Sequence, residues 1–288
     1  KHPDMVLRKA HFAAWRINWQ DKSANLAELA AELNIGLESM VMIDDSEIEC
    51  GMIAQQLPGF DVYCLPKTPH QIPGFLDRIA GLENINRTVE DSKKASMYRA
   101  QVERRREEAT FDNIEAYLES LGLKVAVAAA DSFSIPRIAQ LTQKTNQFNM
   151  TTRRYTEADI GRFDSSESNA VFAVSAADRF GDYGIIGVLI LDFTGNACRI
   201  DTFLLSCRVI GRRIEDAIVA FVADVARARG ITDVQGEFCS TAKNAPAAAV
   251  YPRLGFEAVS ETLFRADISA TEIPVPAFIH FERPETVA

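Results

Sequence analysis

Residues 197–230 read ACRIDTFLLSCRVIGRRIEDAIVAFVADVARARG, and the fold turns on how that run divides. Its first part, ACRIDTFLLSC, is apolar and carries strand-forming residues, so it reads as a buried strand. A short basic stretch with one glycine follows. Then RRIEDAIVAFVADVARARG repeats its apolar residues every three or four positions and stops at a glycine, the pattern of a long helix. Working upstream, YGIIGVLILDF and AVFAVSAAD are two more strands with turn residues between them, preceded by a strand at KVAVAAA and a helix at IPRIAQLTQKTNQF with proline in its first turn. Downstream come a strand at DVQGEF, a helix at AAAVYPRLGF and one last strand at EAVSETLFRAD. Three successive strands followed by a helix predict a mixed α/β layer.

The first third has a different rhythm. FAAWRINW (12–19) reads as a strand, KSANLAELAAELNI as an amphipathic helix, SMVMIDD as a strand, IECGMIAQQL as a helix and FDVYCLP as a strand. This alternation predicts a parallel sheet of Rossmann-like type, about half of a doubly wound domain. Residues 87–121 are highly charged and read as a helical connector. The expected layout is therefore a partial domain at 1–86, the connector at 87–121, a mixed α/β domain at 122–270 and a tail at 271–288.

Composition bounds the function. The chain has 288 residues, 47% hydrophobic and 25% charged, with a net charge of −9. Such an acidic chain offers no general surface for nucleic acid or anionic membrane. No apolar run approaches the roughly 20 residues that span a bilayer. Five scattered cysteines without a CxxC pair give neither a zinc site nor a disulfide framework, and reduced thiols fit a cytoplasmic protein. The four histidines do not cluster.

The residues that carry chemistry fall in two places. Asp44 and Asp45 end an apolar strand side by side. One acid would suffice to cap the next helix; two repel unless a cation holds them. Strand ends of parallel sheets bind ligands, and Mg2+ takes carboxylate oxygens, so Asp44 and Asp45 read as metal ligands. Lys22, at the start of the preceding helix, is within reach of the same edge to neutralise a phosphate. In the second place, Arg212 and Arg213 put positive charge on the first turn of a helix, which is the wrong sign for the dipole unless an anion is bound. Cys207 lies next to Arg208 in the same basic stretch, where a lowered thiol pKa would suit a covalent acyl acceptor; the plain alternative is a small buried hydrophobe. The polar runs at 143–155 and 178–184 read as loops, the first as a rim over the site.

The Lys22 motif, the strand-end motif IDDSEIE and the segments HPDMVLRKAHFAAWRINWQDKSANL, RIAQLTQKTNQFNMTTRRYTEADI, DRFGDYGIIGV and TAKNAPAAAVYPRLGF together resemble the FkbH-like branch of the haloacid-dehalogenase-like phosphatases. The second half also resembles the Gcn5-related N-acetyltransferase (GNAT) fold. The resemblance implies transfer of a glyceryl-type acyl unit from a phosphorylated three-carbon substrate to the phosphopantetheine thiol of an acyl carrier protein. Mg2+ would serve the phosphate step, with Lys22 and Asp45 in catalysis. The alternative is an acetyl-coenzyme A-dependent N-acyltransferase carrying a degenerate phosphatase appendage, or a non-catalytic docking module for a carrier protein. By the same resemblance, Arg208, Gly211 and Arg213 fall on the pyrophosphate loop, with Arg212 beside them. Asn244 and Tyr251 fall on the last GNAT motif, where the tyrosine protonates a departing thiolate. The pantetheine arm would enter between two parting strands. The family's DxDx[TV] nucleophile strand is absent, which implies that it lay before Lys1 and that the chain has no phosphatase activity of its own.

Overall fold

The computed structural model describes residues 5–79, 82 and 89–284, the side chains of Ala10 and of 89–95 excepted. It divides into two compact units, Lys1–Glu107 and Glu108–Ala288. No helix among the described residues is long and apolar enough to cross a membrane.

In the first unit, β1 (Val41–Asp44) and β2 (Asp61–Cys64) pair in parallel, with Asp44 opposite Cys64. Helix α1 (Lys22–Leu33) starts at Asp21, whose carboxylate accepts the Ser23 N–H at 2.9 Å, and ends on Asn34 in the left-handed region. Helix α2 (Glu47–Gln56) is capped by the Ser46 hydroxyl. Met42, Ile53 and Phe60 form the small core between α2 and the strands. Two further helices, α3 (Ile72–Leu76) and α4 (Val89–Glu108), complete the described part. The strand expected at 12–19 is not one. After a single turn at Lys9–His11 the backbone runs irregularly, with Ile17 and Trp19 exposed. A strand needs a neighbour for its backbone groups, and among the described residues β1 and β2 pair only with each other. The segment is held by polar contacts to α1 instead: Arg16 reaches Glu28 at 3.0 Å and Glu32 at 2.7 Å.

The second unit opens with α5 (Ile114–Ser120), whose Tyr117 and Leu118 enter its core, so the boundary lies earlier than the connector reading had it. Strands β3 (Leu123–Ala129), β4 (Asn169–Asp178), β5 (Gly181–Asp192) and β6 (Ala197–Leu205) form an antiparallel run. β7 (Asp233–Glu237) joins β6 in parallel. β8 (Glu257–Ala258) and β9 (Leu263–Asp267) form a hairpin beyond it. The last strand expected, 257–267, is thus two: the Ser260 hydroxyl accepts the N–H groups of Thr262 and Leu263 and turns the chain. The tail also belongs to the fold. β10 (Ile279–Glu282) pairs in parallel with β3 and closes the sheet order β10-β3-β4-β5-β6-β7-β9-β8.

Side chains alternate across this sheet, as the two-residue strand period requires. Phe172, Val174, Leu189, Leu191, Phe203 and Leu205 face α8 (Ile214–Ala228). Val171, Ala173, Val188, Ile190 and Leu204 face α6 (Ile135–Lys144) and α7 (Glu157–Asp164). α9 is one turn, Val250–Arg253, rather than the ten-residue helix expected at 247–256. Pro246 and Pro252 withhold backbone donors, and Gly255 at φ +83° ends it.

Candidate functional site

At the ends of β1 and β2, Lys22 and Asp44 meet as the sequence reading expects: Nζ lies 2.6 Å from Oδ2. The other oxygen, Oδ1, accepts the Ser46 N–H at 2.9 Å. Burial pushes the Asp44 carboxyl up, but the Lys22 ammonium and the Ser46 N–H outweigh it and hold Asp44 below the usual carboxylate range. The same bond raises Lys22. Asp45 is exposed, and neither aspartate caps α2, since Ser46 does so. With both oxygens of Asp44 engaged, the donor set does not make a Mg2+ site by itself. Among the described residues no three His, Cys, Asp or Glu side chains group closely enough to hold a metal.

The second unit has a cleft of about 560 Å3 at the start of α8. Gly211 and Arg213 line it from the loop after β6, Glu215 from the first turn of α8, and Pro246, Ala249, Val250 and Arg253 from the segment after β7; Phe148 closes one wall. Gly211 sits at φ +84° with open space where a Cβ would project, a conformation that favours glycine. Four charges meet beside it. Arg253 bonds Asp216 at 2.6 Å and Glu215 at 3.0 Å, and Arg213 bonds Asp216 through Nε at 2.9 Å. Both acids stand in the first turn, where the dipole favours them. Burial pushes the Glu215 carboxyl up. The two guanidinium groups remain partly exposed, 47% for Arg213 and 38% for Arg253; both terminal nitrogens of Arg253 are taken by the acids, whereas Arg213 engages Asp216 through Nε.

Other sequence-derived site residues lie elsewhere. Arg208 is buried and donates to the Ser206 hydroxyl at 3.2 Å. Arg212 is buried, 3.6 Å from Asp178 and 5.4 Å above the Tyr183 ring, so the DRFGDYG hairpin receives it and not the cleft. Cys207 is half-buried in the turn before Gly211 and does not line the cleft.

The strand gap expected to take a pantetheine arm is closed by the chain itself. β6 and β7 pair only over Ala197–Ile200 and Asp233–Gly236, and β6 continues to Leu205 without β7 beside it. Residues 148–150 fill the space beyond. Met150 N–H donates to Phe203 O at 3.0 Å, Leu205 N–H to Phe148 O at 3.0 Å, and Cys239 N–H to Met150 O at 2.8 Å. Asn244 fastens this insert. Its amide donates to Asn149 O and Cys239 O, both at 2.9 Å, and its oxygen accepts Thr241 N–H at 2.8 Å. It is fully buried, a structural clamp and not a ligand residue. Tyr251 is corrected likewise. Its ring is buried against Phe256 and Phe264, its hydroxyl has no partner, and burial drives its pKa far above 10, so it neither lines the cleft nor offers a proton there.

A second recess of about 230 Å3 lies on the sheet face, lined by Arg153, Asp192, Arg199, Asp201, Gln235, Glu237 and their neighbours. Arg153 bridges Asp201 of β6 and Glu237 of β7, the latter at 2.6 Å, and Tyr155 donates to Asp201 at 2.9 Å. Burial first, then the Asp201 carboxylate, push the Tyr155 phenol up to about 12. The sequence reading missed Arg253, Glu215, Arg153 and Asp201. Pairings 38 to 84 residues apart leave no local signature, although the density of polar residues at 143–155 was visible.

No protein-family model and no curated protein matches the chain. Solved structures similar in shape include a domain from Methanocaldococcus jannaschii DSM 2661, 9% identical over 50% of this chain and 99% of that one, at a TM-score of 0.41. Another is the ribosomal-protein-S18-alanine N-acetyltransferase from Escherichia coli, 13% identical over 53% and 99%, at 0.40. A third is the spermidine N-acetyltransferase from Vibrio cholerae in complex with CoA and spermine, 10% identical over 49% and 92%, at 0.38.

Proposed function

We propose that the unit of residues 108–288 transfers an acyl group from a coenzyme A-type thioester to an amine. The cleft at the start of α8 carries this reading, because Gly211, Arg213 and Arg253 meet there at a helix N-terminus. Gly211 admits close approach of a phosphate, and Arg213 supplies charge-assisted donors from its terminal nitrogens. Phe148 and Val250 give the apolar wall along which a pantetheine arm lies. With 148–150 in the strand gap, the arm stays in the cleft rather than threading the sheet.

Calorimetry with coenzyme A tests this. Wild type binds, and Gly211→Val, folded by circular dichroism, binds at least tenfold more weakly. Absence of binding to wild type, or equal affinity in the variant, removes the reading.

A second reading has one observation in its favour, the 2.6 Å pair of Lys22 and Asp44. In it, the first unit is a phosphatase-like half, and the chain loads a glyceryl-type unit onto an acyl carrier protein. Binding to holo-carrier but not to apo-carrier, with no affinity for free coenzyme A, supports that reading over the first.

A further inference from the structure

Cys50 and Cys64 have no part in either site above. Cys64 ends β2 and stands opposite Asp44 in the strand register. Cys50 lies on α2, with its sulfur 3.9 Å from the Asp44 carbonyl oxygen. The helix therefore lays its thiol over the end of the strand pair, on the face that carries Met42 and Val62 against Ile53, and the two-residue strand period puts the Cys64 side chain on that same face. Both are free thiols. Cys50 is buried and Cys64 half-exposed, so the pair is reached from one side.

We propose that Cys50 and Cys64 are a reversible redox modification site that closes to a disulfide on contact with a hydroperoxide. Thiols on facing sides of two packed elements come to bonding distance, about 2.05 Å between sulfurs, by side-chain rotation. The half-exposed Cys64 reacts first, because peroxide reaches it from solvent while Cys50 is buried. Its sulfur attacks one peroxide oxygen; the O–O bond breaks, Cys64 becomes a sulfenic acid, and the departing hydroxide takes a proton to become water. The Cys50 sulfur then attacks the Cys64 sulfur. The S–S bond forms, the S–OH bond breaks, and the leaving hydroxide takes the Cys50 proton as a second water. Two thiols lose two electrons and one hydrogen peroxide is reduced to two waters. Cys198, Cys207 and Cys239 all belong to the other unit. Cys198 is sealed in the core, where burial pushes its thiol up to about 12. The disulfide ties α2 to β2 and draws the Cys50 thiol off the carbonyl of Asp44, the residue that pairs with Lys22.

The test is peptide mapping of the reduced full chain after brief exposure to hydrogen peroxide, with free thiols blocked. The expected result is one linked peptide pair, Cys50 with Cys64, lighter by two hydrogens and reopened by dithiothreitol. In Cys50→Ser, checked for folding by circular dichroism, Cys64 instead accumulates sulfenic acid that dimedone traps. Two results overturn the proposal. One is oxidation of Cys207 or Cys239 while Cys50 and Cys64 stay free. The other is over-oxidation of Cys64 in wild type without any link to Cys50.

Discussion

Tyr251 is held where a single atom decides what fits. A Cβ on Gly236 of β7 would come within 2.3 Å of the Tyr251 ring, so the glycine makes room for the aromatic. The phenol is left buried without a hydrogen bond, which costs about 1 to 3 kcal/mol by mutational measures. Tyr251→Phe is therefore expected to raise the stability of the second unit by about 1 kcal/mol and to leave acyl transfer unchanged. A thermal melt and a transfer assay check both halves; a slowed reaction with unaltered binding would restore the phenol to catalysis. Lys22 and Asp44 give a pH signature. The folded pKa of Asp44 lies below its ordinary value of 3.8. Its contribution to stability is then fully present above that ordinary value and is lost as pH falls through the lower folded one. Denaturation of the first unit from pH 7 to pH 2 should show this acid loss in wild type and a weaker one in Lys22→Met. Equal slopes in both proteins would mean that the pair is not stabilising.

Among the elements, the insert at 148–150 matters most, because it occupies space between diverging strands. From the far side Asn244 fastens it at Asn149 O and the Cys239 N–H at Met150 O, while Asn244 also ties down Cys239 O and Thr241 N–H. Asn244→Ala leaves Asn149 O, Cys239 O and Thr241 N–H without that partner in a buried place. A destabilisation of about 3 kcal/mol is expected, together with faster amide exchange at 148–151 than elsewhere in the sheet. Unchanged exchange there would mean that β6 holds the insert without the clamp. This element also marks where sequence reading stops. β4, β5 and β6 were legible because apolar runs of this length bounded by turn residues have few other uses, and α8 because its apolar period and terminal glycine agree. Lys22 and Asp44 were legible because a helix start and a strand end converge in any parallel α/β unit. The insert was not legible, because it is held by backbone groups that every residue type carries. β10 was missed for a related reason. Four residues of an edge strand, IHFE, follow a proline-rich stretch and show too short an alternation to separate from a loop.

At the scale of the whole molecule the two units are unequal. The second packs both faces of an eight-stranded sheet, with two apolar clusters divided by strand alternation. The first rests on Met42, Ile53 and Phe60, and exposes Val6, Ile17, Trp19 and Ile48. Burial of apolar area drives folding, so the first unit is expected to unfold at lower temperature. A fragment of residues 108–288 is expected to fold by itself, with the near-ultraviolet circular dichroism of packed aromatics. Calorimetry of the full chain should resolve two transitions; one transition, or an unfolded fragment, would contradict this division.

Parallel pairing of β10 with β3 sets a clock during synthesis. Ile279 follows Ala129 by 150 positions, so β3 leaves the ribosome long before the strand that covers its outer edge. At about 5 to 20 residues per second the interval is roughly 8 to 30 s. β4 can protect one side of β3 early, since it follows after 40 positions. The other side offers a row of open backbone donors and acceptors throughout that interval, the kind of edge on which neighbouring chains pair. Each newly made molecule is thus most exposed to its siblings on one ribosome queue in the seconds before residue 279 appears.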